Sequence, residues 1–498
     1  MRRRHDINSL GSSDISVLPK HRDLYYGGGW HSAGGGAHFS TYSPSTGEDL
    51  GDIAEAGSQD IESVVAAARR GFAAWRIVSP RARAAVLREV AGRIRTEKDD
   101  LALIDAIDGG NPVCATQRDI TGAVEMVDYF AGLVTEIKGT TIPMGVDVVN
   151  YTLREPLGVV ARIIPSNHPA MFTLIKMAAP LAAGNSIIIK PSEQTSLSAL
   201  RIAELIGVLF PPGVVNVVTG CSVAGAALAA HPGIAKVGLV GSVPTGREVM
   251  RAAADTIKPV SLELGGKNAL IAYPDADAMQ VAKASVSGMN FTQSAGQSCG
   301  STSRIFVHAA IYEATLAAIL EGVRAIRMGL PTDPKSEMGC LVDQVQFDKV
   351  LDLIESGPVE GARLVAGGER PQGEAFARGY FVAPTVFVDV PPTSRIAREE
   401  IFGPVMCVFR WSDEDAMFDD VNGVAYGLTA SIWTNNLAVA HRAAARVEAG
   451  YVWINGVGNH FLGAPFGGYK QSGFGRDECI EELLDFTQIK NVNVSLAV

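Results

Sequence analysis

The sequence predicts an α/β protein with two helix-covered sheets and a small β arm, and three observations predict it. Between roughly 156 and 260, short β-rich runs alternate four times with helical ones. A second alternating region follows at about 265–465 and reads as a separate α/β domain. Two further segments alternate strictly between apolar and polar residues and fit neither region: Val149, Tyr151 and Leu153 against Asn150, Thr152 and Arg154, and Val492, Val494, Leu496 and Val498 against Asn491, Asn493, Ser495 and Ala497. Serial β-α units require parallel strands covered by helices on both faces, whereas strict alternation marks a strand with one apolar face.

In chain order, the Gly27-Gly28-Gly29 and Ser43-Pro44-Ser45-Thr46-Gly47 breaks within residues 22–57 predict short hairpins. Ile61, Val64, Val65, Ala68, Phe72 and Trp75 fall at helical spacing, with Ser58 as the expected N-cap and Asp60 and Glu62 favouring the positive helix start. A second helix is expected over about 81–107, and a third from near Thr116. The four β-α units then place strands at Val159–Ile164, Ser186–Lys190, Val214–Val218 and Ala235–Val240, with helices over 170–183, 196–209, 223–230 and 245–255. In such a Rossmann-like sheet a ligand lies beyond the carboxyl ends of the strands, where the loops at Pro165, Lys190, Gly220 and Gly241 fall. The expected division is a cofactor domain of residues 1–133 and 155–262, a catalytic domain of 263–472, and an arm of 134–154 and 473–498. The apolar faces of the arm point to subunit contacts in a homodimer or homotetramer, with an intramolecular hairpin as the alternative.

A chain of 498 residues, 47% hydrophobic and 19% charged, has the composition of a soluble globular enzyme of two or three domains. A net charge of −10 and the lack of a long basic stripe exclude nucleic acid as the main partner. No run approaches the roughly 18 apolar residues of a membrane span. Arg2-Arg3-Arg4 lacks the apolar segment of a secretory signal and reads as a solvated tail. The cysteines, at 114, 221, 299, 340, 407 and 479, form no C-x-x-C pair, which favours a reducing, cytoplasmic setting without disulfides or structural zinc. The histidines show no metal-ligand spacing, so no catalytic metal is expected.

Two residues carry the chemistry. Glu263 lies in the apolar, glycine-closed string Leu262-Glu263-Leu264-Gly265-Gly266-Lys267, and Cys299 in Gly296-Gln297-Ser298-Cys299-Gly300. A soft nucleophile and a potential general base, each among small residues, suggest covalent catalysis on a carbonyl compound. A thiol near its reference pKa of about 8.5 needs local help from backbone dipoles or a base. Asn167, between two prolines, reads either as a turn former or as an amide donor to an oxyanion. Lys190 and Glu193 lie just past a strand end, as a ribose grip or as a plain ion pair. The glycine-rich stretch at 27–36 is not followed by a helix and is no dinucleotide fingerprint.

Read together, Ile164-Pro165-Ser166-Asn167-His168-Pro169, Lys190-Pro191-Ser192-Glu193, Gly241-Ser242, Glu263-Leu264-Gly265-Gly266-Lys267, Gly296-Gln297-Ser298-Cys299, Glu400-Ile401-Phe402-Gly403-Pro404 and Pro465-Phe466-Gly467-Gly468-Tyr469-Lys470 resemble, in order, the motifs of the NAD(P)-dependent aldehyde dehydrogenase superfamily. The resemblance spans about residues 25–490. It implies a nicotinamide cofactor, Cys299 as nucleophile, Asn167 with the Cys299 backbone N–H as oxyanion donors, and Glu263 as the base that hydrolyses the thioester. Relatives that pass the acyl group to CoA generally lack this glutamate, so its presence favours a free carboxylic acid. For the cofactor, the resemblance implies Lys190 and Glu193 at the adenine ribose, Gly225 opening the helix under the pyrophosphate, Ser242 bonding it, and Glu400 with Phe402 at the nicotinamide ribose and ring. Ile163, Ile164, Pro165, Ser166, Ser192, Gly241, Leu264, Gly265 and Gln346 complete this set. Glu193 would repel a 2′-phosphate, which favours NAD over NADP.

The sequence departs from its relatives around the substrate. Ser166 and His168 stand where the family loop carries aromatics on each side of the asparagine. Met171, Phe172, Ile175, Ser298, Asn459, His460 and Phe461 complete the expected substrate wall, with either histidine open to a merely structural reading. The expected substrate is a compact aldehyde with a polar or anionic group, or an aromatic one stacking on Phe172 or Phe461. Competing readings are an NADP-preferring semialdehyde dehydrogenase, a cofactor-independent thiol esterase using Cys299 with His168 or His460, and a non-catalytic nucleotide-binding relative.

Overall fold

A computed structural model describes residues 15–496. The Arg2-Arg3-Arg4 tail and the last two arm residues, Ala497 and Val498, lie outside the described residues.

The first sheet has eight strands, in the order Gly29–His31, Leu24–Tyr26, Val215–Val217, Ser186–Lys190, Val159–Ile163, Lys236–Val240, Val260–Glu263 and Gly473–Phe474. The five between Val215–Val217 and Val260–Glu263 are parallel, and antiparallel neighbours close both sides. Chain order reverses between Val159–Ile163 and Lys236–Val240, the topological switch point at which such sheets open a crevice. The fully buried sequence Ser186–Lys190 shows why these runs read as continuously apolar: helices cover both faces. The expected hairpins form at Leu24–His31, whose turn glycines Gly27 and Gly28 both have positive φ, and at His38–Ala54.

Helix boundaries differ most from expectation at three places. The first helix is Ser58–Trp75, and its N-cap is Gly57 rather than Ser58, because the Asp60 carboxylate reaches back to the Gly57 N–H at 2.8 Å. The stretch expected as one helix over 81–107 divides at Glu97 into Pro80–Thr96 and Lys98–Gly109. The next helix starts at Val113, directly after Pro112, rather than near Thr116.

The second sheet has seven strands, in the order Arg363–Ala366, Thr385–Val388, Val405–Trp411, Arg304–His308, Ala269–Ala272, Thr429–Trp433 and Tyr451–Ile454, all parallel except the first. Each large sheet has its own apolar core, so the protein is α/β with two α/β domains. The third sheet pairs Thr487–Ser495 with Val148–Pro156 and adds Thr141–Pro143. The two alternating segments therefore pair with each other, Val494 opposite Val149 and Val492 opposite Tyr151. Their apolar face still stays open, with Val149 41% and Leu153 43% exposed. Between arm and second sheet, Gly473–Phe474 joins the first sheet, and Leu483 and Phe486 enter its core.

Candidate active site

Two cavities meet where the loop after Val159–Ile163 passes the cysteine loop. The larger, about 990 Å³, lies over the carboxyl ends of the first sheet's strands. Among its walls are Ile163, Ile164, Pro165, Ser166, Lys190, Ser192, Glu193, Gly225, Gly241, Ser242, Gly265, Gln346, Glu400 and Phe402, the whole expected cofactor set apart from Leu264. Leu264 is buried in the core, where its backbone N–H donates to the Ser472 carbonyl at 3.0 Å.

Backbone shapes this cavity. A Cβ on Gly225 would meet nothing nearer than Ile163 at 3.9 Å, which leaves the helix Ser222–Ala230 with a bare face toward the cavity. A Cβ on Gly265 would lie 2.1 Å from the Glu400 carboxylate, which accepts the Gly266 N–H at 2.9 Å. Only glycine lets that carboxylate lie against the chain. Gln346 donates to the Ile401 and Phe402 carbonyls at 2.9 and 2.7 Å and so holds Phe402 at its positive φ of 55°. Lys190 donates to Glu193 at 3.1 Å; the lysine is buried and the carboxylate half-exposed, both facing the cavity. The volume, the bare helix face and this grip suit a dinucleotide.

The smaller cavity, about 450 Å³, holds the three expected catalytic residues. Cys299, Glu263 and Asn167 line it together with His168, Met171, Phe172, Ile175, Ser298 and His460. Cys299 Sγ donates to Glu263 Oε1 at 3.1 Å. The glycines enforce this approach, since a Cβ on Gly266 would sit 2.3 Å from the Cys299 carbonyl. Gly296, at φ 74°, would carry a Cβ 2.2 Å from the Gly403 carbonyl. Asn268 ties the cysteine loop down by donating to the Cys299 and Ser301 carbonyls at 2.7 and 2.9 Å. Asn167 is turned to the same loop, its amide donating to the Gln297 carbonyl at 2.9 Å, which leaves the second N–H of that amide for another acceptor. Among the described residues, none accepts the Cys299 backbone N–H.

Burial raises the Glu263 carboxyl above the usual carboxylate range, with Lys176 pulling the other way. Burial first, and then the Glu263 charge, push the Cys299 thiol well above its ordinary value. In this contact the thiol is the donor, and with Glu263 ionised, moving that proton from sulfur to Glu263 would create the nucleophile.

Several groups at this site escape a motif-based reading. Lys176 Nζ lies 3.8 Å from Glu263 Oε2 and 2.6 Å from Asp477 Oδ2. Burial works against its charge, yet Asp477 and Glu263 outweigh this and raise its pKa. The signal was available, since Lys176 is the only charged residue in the apolar helix Pro169–Ala183 and a buried lysine needs a partner. Asp119, Gln293 and Arg118 also line the cavity and carry no recognisable spacing. Two expected residues lie outside it. Asn459 is exposed, its carbonyl accepting Trp453 Nε1 at 2.8 Å, and Phe461 is 61% exposed. His460 reaches the cavity but is bound through Nδ1 to Glu478 at 3.0 Å. Among the described residues, no group of three or more potential ligands could hold a metal ion.

The fold is that of a two-domain α/β enzyme in which a thiol and a carboxylate are paired in one cavity. The sequence profile of the aldehyde dehydrogenase family matches residues 30–492, and the chain belongs to that family. Aldehyde dehydrogenase tropH of Talaromyces stipitatus is 49% identical over 487 residues, covering 96% of this chain and 94% of that protein. The NAD+ complex of an aldehyde dehydrogenase from Bacillus cereus superposes with a TM-score of 0.94 at 40% identity, over 98% of this chain and 99% of that one. Betaine aldehyde dehydrogenase from Staphylococcus aureus, also in complex with NAD+, gives 0.94 at 31% identity, over 97% and 96%. The protein is thus an aldehyde dehydrogenase, and no helix among the described residues is long and apolar enough to cross a membrane.

Proposed function

We propose that this enzyme oxidises a compact polar or aromatic aldehyde to the carboxylic acid with NAD, through a covalent adduct on Cys299. The observation that carries this reading is the 3.1 Å contact between Cys299 Sγ and Glu263 Oε1 in a cavity that also holds the Asn167 amide. Glu263 takes the thiol proton as sulfur bonds to the aldehyde carbon, and the carbonyl oxygen becomes an alkoxide held by Asn167 Nδ2 and the Cys299 N–H. Lys190, Glu193, Ser242, Glu400 and Phe402 would hold NAD, which would supply the hydride acceptor, and loss of hydride from the adduct carbon turns the adduct into a thioester on Cys299. Glu263, after passing its proton to solvent, deprotonates a water that attacks the thioester; the C–S bond breaks and the acid leaves. The half-exposed Glu193 carboxylate supports NAD over NADP, because it would face a 2′-phosphate with like charge.

The same reading takes residues 1–133 and 155–262 as the cofactor domain, 263–472 as the catalytic domain, and 134–154 with 473–498 as an arm. The open apolar face of that arm supports a homodimer or homotetramer, which light scattering tests, and six free cysteines suit a cytoplasmic setting. Intact-mass analysis of turnover mixtures quenched in acid tests the chemistry. An acyl mass on the Cys299 peptide is expected, and its absence under every quench would overturn the proposal.

A further inference from the structure

One wall of the substrate cavity carries a polar chain that the chemistry at Cys299 does not use. His168 Nδ1 and Asp119 Oδ2 lie 2.7 Å apart, Gln293 Nε2 donates to Asp119 Oδ1 at 2.6 Å, and Arg118 Nη2 donates to Gln293 Oε1 at 3.1 Å. All four side chains line the cavity, with His168 and Asp119 buried and Arg118 exposed.

The chain has a direction. An ionised carboxylate only accepts, so the Gln293 amide must turn its NH2 to Asp119 and its oxygen to Arg118, and His168 Nδ1 must carry a hydrogen. The other ring nitrogen is left over. Among the described residues no protein atom bonds His168 Nε2, although the ring lines the cavity. Burial opposes protonation of the ring, but the adjacent Asp119 outweighs it and raises the His168 pKa, and in the protonated ring Nε2 is a second donor. Phe172 stands edge-on to the ring with centroids 6.0 Å apart and helps to fix its plane. Lys176 and the other cavity histidine, His460, are already paired with carboxylates. Nε2 is open to the cavity, so an oxygen of a bound ligand can take the place of water there.

We propose that His168 is the specificity-determining residue for the aldehyde's distal end, its Nε2–H binding an oxygen acceptor of the substrate, a carboxylate or a hydroxyl, with Arg118 adding positive charge. The inference rests on the reading that the aldehyde carbon is bound to Cys299 in this same cavity. It removes the structural alternative for His168 and assigns Asp119 as a positioning residue that fixes the tautomer and plane of the ring.

Steady-state NADH formation from benzaldehyde, 3-hydroxybenzaldehyde and 3-carboxybenzaldehyde tests it in the wild type, His168→Phe, His168→Gln and Asp119→Asn. His168→Phe is expected to lower kcat/KM for an oxygen-bearing aldehyde about tenfold to a hundredfold, mainly through KM, with a smaller loss on benzaldehyde. His168→Gln, which keeps a donor without the charge, is expected to retain more activity than His168→Phe. The larger loss falls on the carboxylated compound if the natural acceptor is anionic, and on the hydroxylated one if it is neutral. Asp119→Asn is expected to show a smaller loss of the same pattern. Equal losses on all three aldehydes in both His168 variants would overturn the proposal, because a structural ring serves every substrate alike. Failure of the underlying chemistry looks different: the wild type then yields no adduct mass on Cys299 from any of the three.

Discussion

The two cavities of this enzyme are built in opposite ways. The cofactor cavity is shaped by backbone: strand ends, a helix of small residues opened by Gly225, and a glycine against which Glu400 lies. The substrate cavity is made by side chains brought from distant parts of the chain, including Arg118, His168, Lys176, Glu263, Cys299 and Glu478. A cavity of the first kind tolerates changes of side chain away from its few grips. In one of the second kind, buried charges share their protons and counter-ions, so one replacement disturbs several groups.

The sharpest break of this contrast is Cys299→Ala, which is expected to reduce NADH formation by more than about a thousandfold while NAD still binds, as intrinsic fluorescence titration would show. Glu263→Gln comes next. Steady-state turnover is expected to fall about a hundredfold to a thousandfold, with a slowed burst of NADH surviving because hydride transfer precedes hydrolysis. The sign of its pH dependence follows from the raised Glu263 pKa: the wild-type rate climbs as pH rises through that value and the carboxyl becomes a base, and Glu263→Gln removes this limb. Normal steady-state turnover in Glu263→Gln would end its role as base.

Lys176→Met is expected to lower the thermal midpoint and to cost about 3 kcal/mol, because Asp477 loses a counter-ion in a buried setting. The pair Lys176→Met with Asp477→Leu is expected to recover most of that loss, and an unimproved double variant would contradict the account. The smallest effect belongs to the cofactor cavity. Glu193→Gln is expected to shift the ratio of NAD to NADP turnover about tenfold toward NADP with little change in aldehyde KM. A large change in aldehyde KM would show that the cavities are less independent than their construction implies.

The same difference explains what the sequence reveals. Lys190, Gly241 and Ser242 are legible because each follows directly from a β-rich run, and strand ends are where a parallel sheet receives ligands. Cys299 and Glu263 are legible because glycines mark the close approach of their loops. The Lys176–Asp477 pair and the chain from His168 to Arg118 are not, because they join residues 301 and 50 positions apart with no local pattern. Asn459 and Phe461 show the opposite error: the family resemblance implied that their stretch lines the substrate wall, but neither side chain lines the cavity here. The division at Glu97 was hidden because apolar spacing runs on through two helices that pack on the same core.

The short edge strand Gly473–Phe474 ties distant tasks to one length of polypeptide. It aligns beside Leu262 and Glu263, is followed within a few residues by Asp477, the counter-ion of Lys176, and leads on to the arm strand Thr487–Ser495. A tug on the arm is therefore also a tug on the carboxylate that balances Lys176 beside Glu263. Whatever seats the arm helps to hold the charge around Glu263 in place.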